Sequence, residues 1–185
     1  MKARGPDHDA VVAATHAWVE RAVIGLNLCP FAKPASLKGL VRYAVSDATH
    51  AAALREDLES ELRLLSLTPA EQVETTLLIH PFVLTDFLDY NDFLDVADAA
   101  VDMMGLTGVI QVASFHPQYR FAGTGPDDVT NCTNRSPYPM LHLLREASVD
   151  AAVAMYPDAA FIYQQNIDTM KRLGIDGWIA LGLGP

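Results

Sequence analysis

Two histidines share a local context that could support proton transfer: each follows an apolar run and precedes a proline. They are His80, before Pro81, and His116, before Pro117. Imidazole titrates near neutral pH, so a histidine in a cleft can act as a general acid or base. We therefore take His116 as the candidate catalytic acid or base. The structural alternative for either histidine is a ring that ends a strand by hydrogen bonding to a backbone carbonyl.

A long polar segment, 116–136, follows the second histidine. Loops of about 20 residues without regular structure are uncommon in compact domains and are often functional. Its side chains suit recognition of a small anion: Arg120, Asn131, Arg135 and Ser136 are candidate substrate-binding residues, and Asn134 is a candidate for polarising the substrate. The segment is thus the best candidate for the site.

Ser136 and Pro137 have the residue types that begin helices, at the N-cap and at the first helical position. A helix N-terminus attracts anions, and Arg135 directly before it would add a guanidinium. The alternative is that Arg135 pairs with Asp127 or Asp128 and holds the loop in place.

A metal site is the second chemical possibility. Imidazole and carboxylate ligands suit Zn²⁺ or another divalent transition metal. The candidate ligands are His80 and His116 with Asp86 or Asp47. No HxH or HExxH spacing supports them, so this prediction is weak. In an enzyme without metal, Asp86 or Asp89 would instead orient a catalytic histidine.

The two cysteines have no signature of a nucleophile. Cys29 is most simply explained as a small, buried apolar side chain. Cys132 lies inside the 116–136 loop. A cysteine paired with a histidine could attack a substrate, but unpaired cysteines are more often buried and inert. Cys29 therefore stays a secondary candidate.

Alternating helical and strand patterns predict the elements that position these groups. Predicted strands cover 40–45, 75–79 and 109–115, with a further short strand at 178–181; predicted helices cover 7–26, 51–67, 85–104, 136–147 and 158–173. The order α-β-α-β-α-β-loop-α-α predicts an α/β fold: one domain over 1–185, with a small, mostly parallel sheet of three to four strands flanked by helices. His142 would then lie on a helix face at the surface.

In parallel sheets, ligands bind beyond the carboxyl ends of the strands. His80, His116 and Asp47 each follow a predicted strand, and Asp86 and Asp89 begin the helix after His80. If the three strands are parallel, all five residues lie at one edge of the sheet. This expectation depends only on the direction of the strands in the sheet.

Composition restricts the partners. The formal net charge is −10, and no cluster of lysine or arginine occurs, so we expect binding to neither nucleic acid nor anionic membranes. No apolar run of about 18 residues and no signal-like N-terminus occur, and two cysteines make no disulfide framework, which predicts a cytoplasmic protein. Because the motifs GxGxxG and GxxxxGK[ST] are absent, we expect no organic cofactor.

Three functions remain open. The first is a hydrolase or group transferase acting on a small anionic substrate at the 116–136 loop. The second is a metal-dependent site, and the third is a non-catalytic domain that binds a metabolite or a partner protein. Binding and turnover both need convergent polar groups, so sequence alone does not separate them.

Four segments of the chain resemble DUF1415, a bacterial family of unknown function. They are residues 18–32, 84–93, 114–117 and 133–139. The resemblance implies a bacterial cytoplasmic protein and supplies no reaction. Relatives in this family commonly have tyrosine at the position of Cys132, which argues against a catalytic role for that thiol.

Overall fold

Four strands form one mixed sheet in the computed structural model, which describes residues 7–155 and 159–183. The strands are β1 (Val41–Val45), β2 (Thr75–Ile79), β3 (Ile110–Phe115) and β4 (Met140–Arg145), in the order β1-β2-β4-β3. Only β1 and β2 pair in parallel, because β4 is antiparallel to both of its neighbours. The α/β class is confirmed, but the expectation of a mostly parallel sheet is wrong.

Helices precede and follow the strands. They are α1 (His8–Trp18), which continues as a π-helix (Val19–Ile24), α2 (Ala32–Leu37), α3 (Ala51–Leu67), α4 (Phe87–Met103), α5 (Glu146–Val153) and α6 (Ala159–Ala180). A short 3₁₀ helix (Val129–Asn134) lies within the long loop. The sequence pattern predicted neither α2 nor α5.

The helix predicted over 136–147 is wrong, because this segment contains β4. Its leucines and methionine favour helices in isolation, but tertiary packing places the segment between β2 and β3. Alternate side chains bury on opposite faces, with Leu141 and Leu143 on one side and Met140 on the other. Consequently His142 is a half-buried strand residue, not a residue of an exposed helix face.

The short strand predicted at 178–181 is also wrong, because α6 extends to Ala180. The helix changes direction at Gly174, whose φ of 68° and ψ of 172° are not helical. The last turn of α6 after this kink carries Trp178, which returns to the face of the sheet that packs against α1.

Both faces of the sheet are covered. Leucines of α3 and the apolar face of α4 pack on one side, where they contact Leu78 of β2. The α1 helix and the following π-helix pack on the other side, against Leu77 and Ile79. The aspartates of α4 face outward, as its sequence pattern predicts. No helix of the described chain has the length and apolarity needed to cross a membrane.

The carboxyl ends of β1, β2 and β3 lie at one edge of the sheet, since β4 reverses direction between β2 and β3. His80 and His116 therefore share that edge, although the sheet is mixed. The backbone N–H of His80 bonds to the carbonyl of Pro139, and that of His116 to the carbonyl of Asn134. The long loop thus starts and ends at the edge where the strands end.

Candidate functional site

His116 is fully buried, and the backbone uses both of its ring nitrogens. Nδ1 accepts a hydrogen bond from the N–H of Gln118 at 3.0 Å, and Nε2 lies 3.2 Å from the carbonyl oxygen of Leu84. Since Nδ1 is an acceptor, the proton belongs on Nε2, which donates to Leu84. Burial lowers the pKa of His116, against the opposing effects of the Leu84 carbonyl and of Asp86. The ring fits the structural alternative, because neither nitrogen remains free for a substrate.

His80 is likewise fully buried. Its Nδ1 lies 3.0 Å from the carbonyl of Val83, so this nitrogen is the donor, and Nε2 has no hydrogen-bond partner in the described part of the chain. Burial lowers the pKa of His80 to about 4, with a further lowering from His116. His80 is therefore neutral at pH 7.

Tyr90 of α4 lies against both histidine rings, and no pattern in the sequence pointed to this role. Its ring centroid lies 5.8 Å from that of His80 and 5.0 Å from that of His116. Its hydroxyl donates to the carbonyl of Met140 at 2.8 Å and accepts from the N–H of Phe115 at 3.0 Å. Tyr90 thereby joins the end of β3 to the start of β4, and burial raises its pKa.

The geometry around these histidines gives no support to the proposed metal site. Within residues 7–155 and 159–183, no group of three or more histidine, cysteine or acidic side chains converges on a common point. Asp47 is exposed and bonds to His8 at 2.7 Å. Asp86 caps α4 by accepting from the N–H groups of Leu88 and Asp89.

Asn131 and Asn134 form hydrogen bonds with the backbone of the loop and of the neighbouring strand. Asn131 is fully buried; its oxygen accepts from the N–H of Phe121 and the hydroxyl of Thr124, and its amide donates to the carbonyl of Gly125. The amide of Asn134 donates to the carbonyl of Ser114 at 3.0 Å. Both amides thus hold the loop in shape and against β3.

Arg135 anchors the loop through carbonyl groups, not through Asp127 or Asp128. Its Nη2 donates to the carbonyl of Pro126 at 2.6 Å, and its Nε to that of Tyr119 at 3.4 Å. Among the described residues, the two N–H bonds of Nη1 and one of Nη2 have no hydrogen-bond acceptor. The guanidinium therefore holds the loop and still has donors to offer.

Ser136 does not begin a helix, so the expected helix N-terminus beside Arg135 is absent. Its hydroxyl donates to the carbonyl of Tyr138 at 2.7 Å, within a buried turn that leads into β4. The two prolines at 137 and 139 suit this extended turn, because proline lacks the N–H that a helix needs. Any positive charge at this position therefore comes from side chains.

An open cavity of about 390 Å³, which we call the arginine cleft, lies beside the start of α4. Arg120, Arg135 and Asp86 line it together with Gln118 and Phe87. Four salt bridges occur among the described residues, and neither Arg120 nor Arg135 takes part in one. Two guanidinium groups against one carboxylate give the cleft a local positive charge within an acidic protein. Asp89 is exposed on the first turn of α4 and is not part of the wall.

A separate apolar cavity of about 60 Å³ lies between the sheet and the π-helix. Cys29 and His142 line it, and Nε2 of His142 lies 2.8 Å from the hydroxyl of Thr75. Burial raises the pKa of Cys29 and lowers that of His142 to about 4. Both groups are thus uncharged at pH 7, which is unlike the thiolate–imidazolium pair of a cysteine nucleophile.

A comparison with protein families agrees with the resemblance seen in the sequence. The family model described as "Protein of unknown function (DUF1415)" matches residues 10–180. No curated protein and no solved structure matches this chain. The match runs from the first turn of α1 to the end of α6 and includes every residue of the arginine cleft. The chain therefore belongs to the DUF1415 family.

Proposed function

We propose that this protein is a small-molecule enzyme, a hydrolase or group transferase, whose anionic substrate binds in the arginine cleft. The observation that carries the proposal is the placement of Arg120 and Arg135 on one open cavity, with no salt-bridge partner for either among the described residues. Guanidinium groups donate planar pairs of hydrogen bonds that match carboxylate and phosphate oxygens. Anion binding is therefore the chemistry that this cleft supports best.

Asp86 is the acid–base group of the proposal, in place of His116. Asp86 lines the cleft, while the ring nitrogens of His116 are hydrogen bonded to the backbone. One carboxylate oxygen of Asp86 caps α4, and the other has no hydrogen bond among the described residues. That second oxygen can accept a proton from water or from a substrate hydroxyl, while the arginines stabilise negative charge on the substrate.

Calorimetric titration with inorganic phosphate and with acetate tests the binding step. Replacing one arginine, as Arg120→Gln or Arg135→Gln, should weaken binding about tenfold or more, because a charge-assisted hydrogen bond contributes about 1.5–3 kcal/mol. Arg63→Gln is the matched control, since Arg63 is exposed on α3 and outside the cleft. Equal losses in all three variants would show only an effect of net charge and would contradict the proposal.

Release of p-nitrophenol from p-nitrophenyl phosphate and p-nitrophenyl succinate tests the catalytic step. Asp86→Asn should abolish turnover and leave anion binding intact or stronger, since asparagine also caps helices. Turnover that survives this change would remove Asp86 from the mechanism. Arginine-dependent binding without turnover of either ester would favour the non-catalytic metabolite-binding alternative.

A further inference from the structure

A second cavity of about 370 Å³ borders the arginine cleft, and we call it the tryptophan cavity. Arg135 and Pro117 belong to the walls of both cavities. The other walls are mostly apolar, formed by two tryptophans, a proline and aliphatic side chains: Trp18, Pro137, Trp178, Ile179 and Leu183. A ligand whose anionic group contacts Arg135 can therefore extend away from the cleft onto an apolar surface.

Trp18 lines this cavity with the carbon atoms of its indole, because the only polar atom of the side chain is already hydrogen bonded. Its Nε1 donates to the backbone carbonyl of Arg135 at 2.8 Å, and the residue is buried. The same bond holds the Arg135 backbone in place. The indole is thus a fixed apolar wall next to the guanidinium.

The kink at Gly174 allows Trp178 to line the same cavity. After the kink, the last turn of α6 runs toward α1, and Trp178 packs in the same apolar cluster as Trp18. Trp178 is half-buried, so part of its ring is accessible. A flat apolar group in this cavity would contact tryptophan, whose large ring pairs favourably with other aromatic rings.

We propose that the substrate is an organic anion with a planar apolar body, such as an aryl phosphate or an aryl carboxylate. The anionic group binds Arg135 and Arg120, and the ring packs against Trp178 in the tryptophan cavity, next to the small exposed part of Trp18. Because Arg135 lines both cavities, the anionic group is attached directly to the ring or separated from it by one or two bonds. This inference rests on the proposed function, and it adds the class of molecule that the cleft selects.

A three-ligand comparison tests this selection by calorimetry: phenyl phosphate, inorganic phosphate and benzyl alcohol. Phenyl phosphate should bind about tenfold or more tightly than phosphate, because burying one face of a phenyl ring removes tens of Å² of apolar surface from water at about 25 cal/mol per Å². Benzyl alcohol, with the ring but no charge, should bind more weakly than phenyl phosphate. Trp18 and Trp178 are the only tryptophans of the chain, so a change in tryptophan fluorescence locates the ring.

Variants separate the contribution of the ring from that of the charge. Trp178→Ala should remove the advantage of phenyl phosphate over phosphate while phosphate affinity stays within about twofold; Trp178→Leu, which keeps apolar bulk, gives the same readout if the alanine variant fails to fold. Phe161→Ala is the matched control, since Phe161 is exposed on the same helix and outside the cavity. It should change neither affinity.

The outcomes distinguish the two proposals. If phosphate binds through the arginines and phenyl phosphate gains nothing, the substrate class is wrong and the proposed function stands. If benzyl alcohol binds as tightly as phenyl phosphate and Arg135→Gln affects neither ligand, the tryptophan cavity is an independent apolar site and the inference is overturned. If neither phosphate nor phenyl phosphate binds, both proposals fail.

Discussion

In the proposed site, the side chain of Arg135 both holds the loop and binds the ligand. Its hydrogen bonds to Pro126 and Tyr119 fix the guanidinium, and Trp18 fixes its backbone. A side chain already held in one conformation loses little entropy when a ligand binds, which strengthens binding. The same hydrogen bonds hold the 116–136 loop closed, so a substitution at Arg135 changes both the structure of the loop and the proposed binding of the ligand. Arg135→Gln, which keeps two amide N–H donors, disturbs the loop less than Arg135→Ala would.

The two cysteines should react at different rates in the native protein. Cys132 is fully buried, whereas Cys29 is partly exposed, and burial raises the pKa of both thiols. Since the thiolate is the reactive form, both should react with methyl methanethiosulfonate more slowly at pH 7 than free cysteine does. Cys29 should be modified first, and its rate should rise steeply above about pH 9, past the usual thiol pKa.

Mass spectrometry of the Cys29→Ser and Cys132→Ser variants measures each thiol separately. Adding urea should bring the two rates together, because unfolding exposes both side chains. Faster modification of Cys132 than of Cys29 in the folded protein would contradict the burial of Cys132.

At the scale of elements, the position of β4 determines the shape of the site. The loop leaves β3 at Phe115 and returns at Met140, and these two residues are paired across the strands. A chain that returns to the same edge must run antiparallel to the strand it left. The long loop is therefore the closed end of a β3–β4 hairpin, and its fold depends on internal bonds such as those of Asn131.

Gly174 should be sensitive to substitution because of its backbone and not its packing. Its φ of 68° and ψ of 172° belong to a region that essentially only glycine occupies, and a Cβ there would meet no atom within 4 Å. Gly174→Ala should lower the free energy of unfolding by about 1–3 kcal/mol. It should also shift the fluorescence of Trp178, which follows the kink.

Urea denaturation measures the first effect and emission spectra the second. Gly125→Ala is the control, because Gly125 also has open space around its Cα but lacks a positive φ. A Gly174→Ala protein as stable as the wild type would show that the helix accommodates alanine, and the kink would then have another cause.

For the whole molecule, buried neutral histidines predict a loss of stability in acid. Burial lowers the pKa of His80 and of His142 to about 4, below the ordinary value near 6.5 of the unfolded chain. Above pH 6.5 both states are neutral at these positions. Between pH 6.5 and 4 the unfolded chain binds protons that the folded protein does not, so the free energy of unfolding should fall as the pH falls, by at most about 3 kcal/mol for each histidine.

Urea denaturation between pH 7.5 and 4.5 checks this slope. His142→Gln should reduce the slope, since glutamine can still donate to Thr75 but does not titrate. A pH-independent free energy of unfolding in the wild type would show that neither histidine is held neutral in the fold.

Local sequence patterns were sufficient to predict those helices and strands in which the spacing of apolar residues agrees with their packing in the fold. The bounds of α3 and β2 match the predicted 51–67 and 75–79, because a helix with one apolar face and a strand buried on both faces have distinct residue patterns. The gathering of His80, His116 and Asp86 at one edge also followed from the sequence, since it requires only that the strands before them share a direction. The family could likewise be recognised from four segments.

Only the tertiary structure decided which atoms of these side chains are already hydrogen bonded and which residues line a cavity. Met140–Arg145 favours a helix by composition and becomes a strand because hydrogen bonds to β2 and β3 outweigh local propensity. That change removes the helix N-terminus at Ser136 and makes His142 a half-buried residue of β4. The position of the proton on His116 depends on the carbonyl of Leu84, 32 residues away. The wall that Arg135 forms between the arginine cleft and the tryptophan cavity depends on its hydrogen bond with Trp18, 117 residues away. Contacts at such separations leave no periodic trace in a single sequence, so they appear only when the chain is folded.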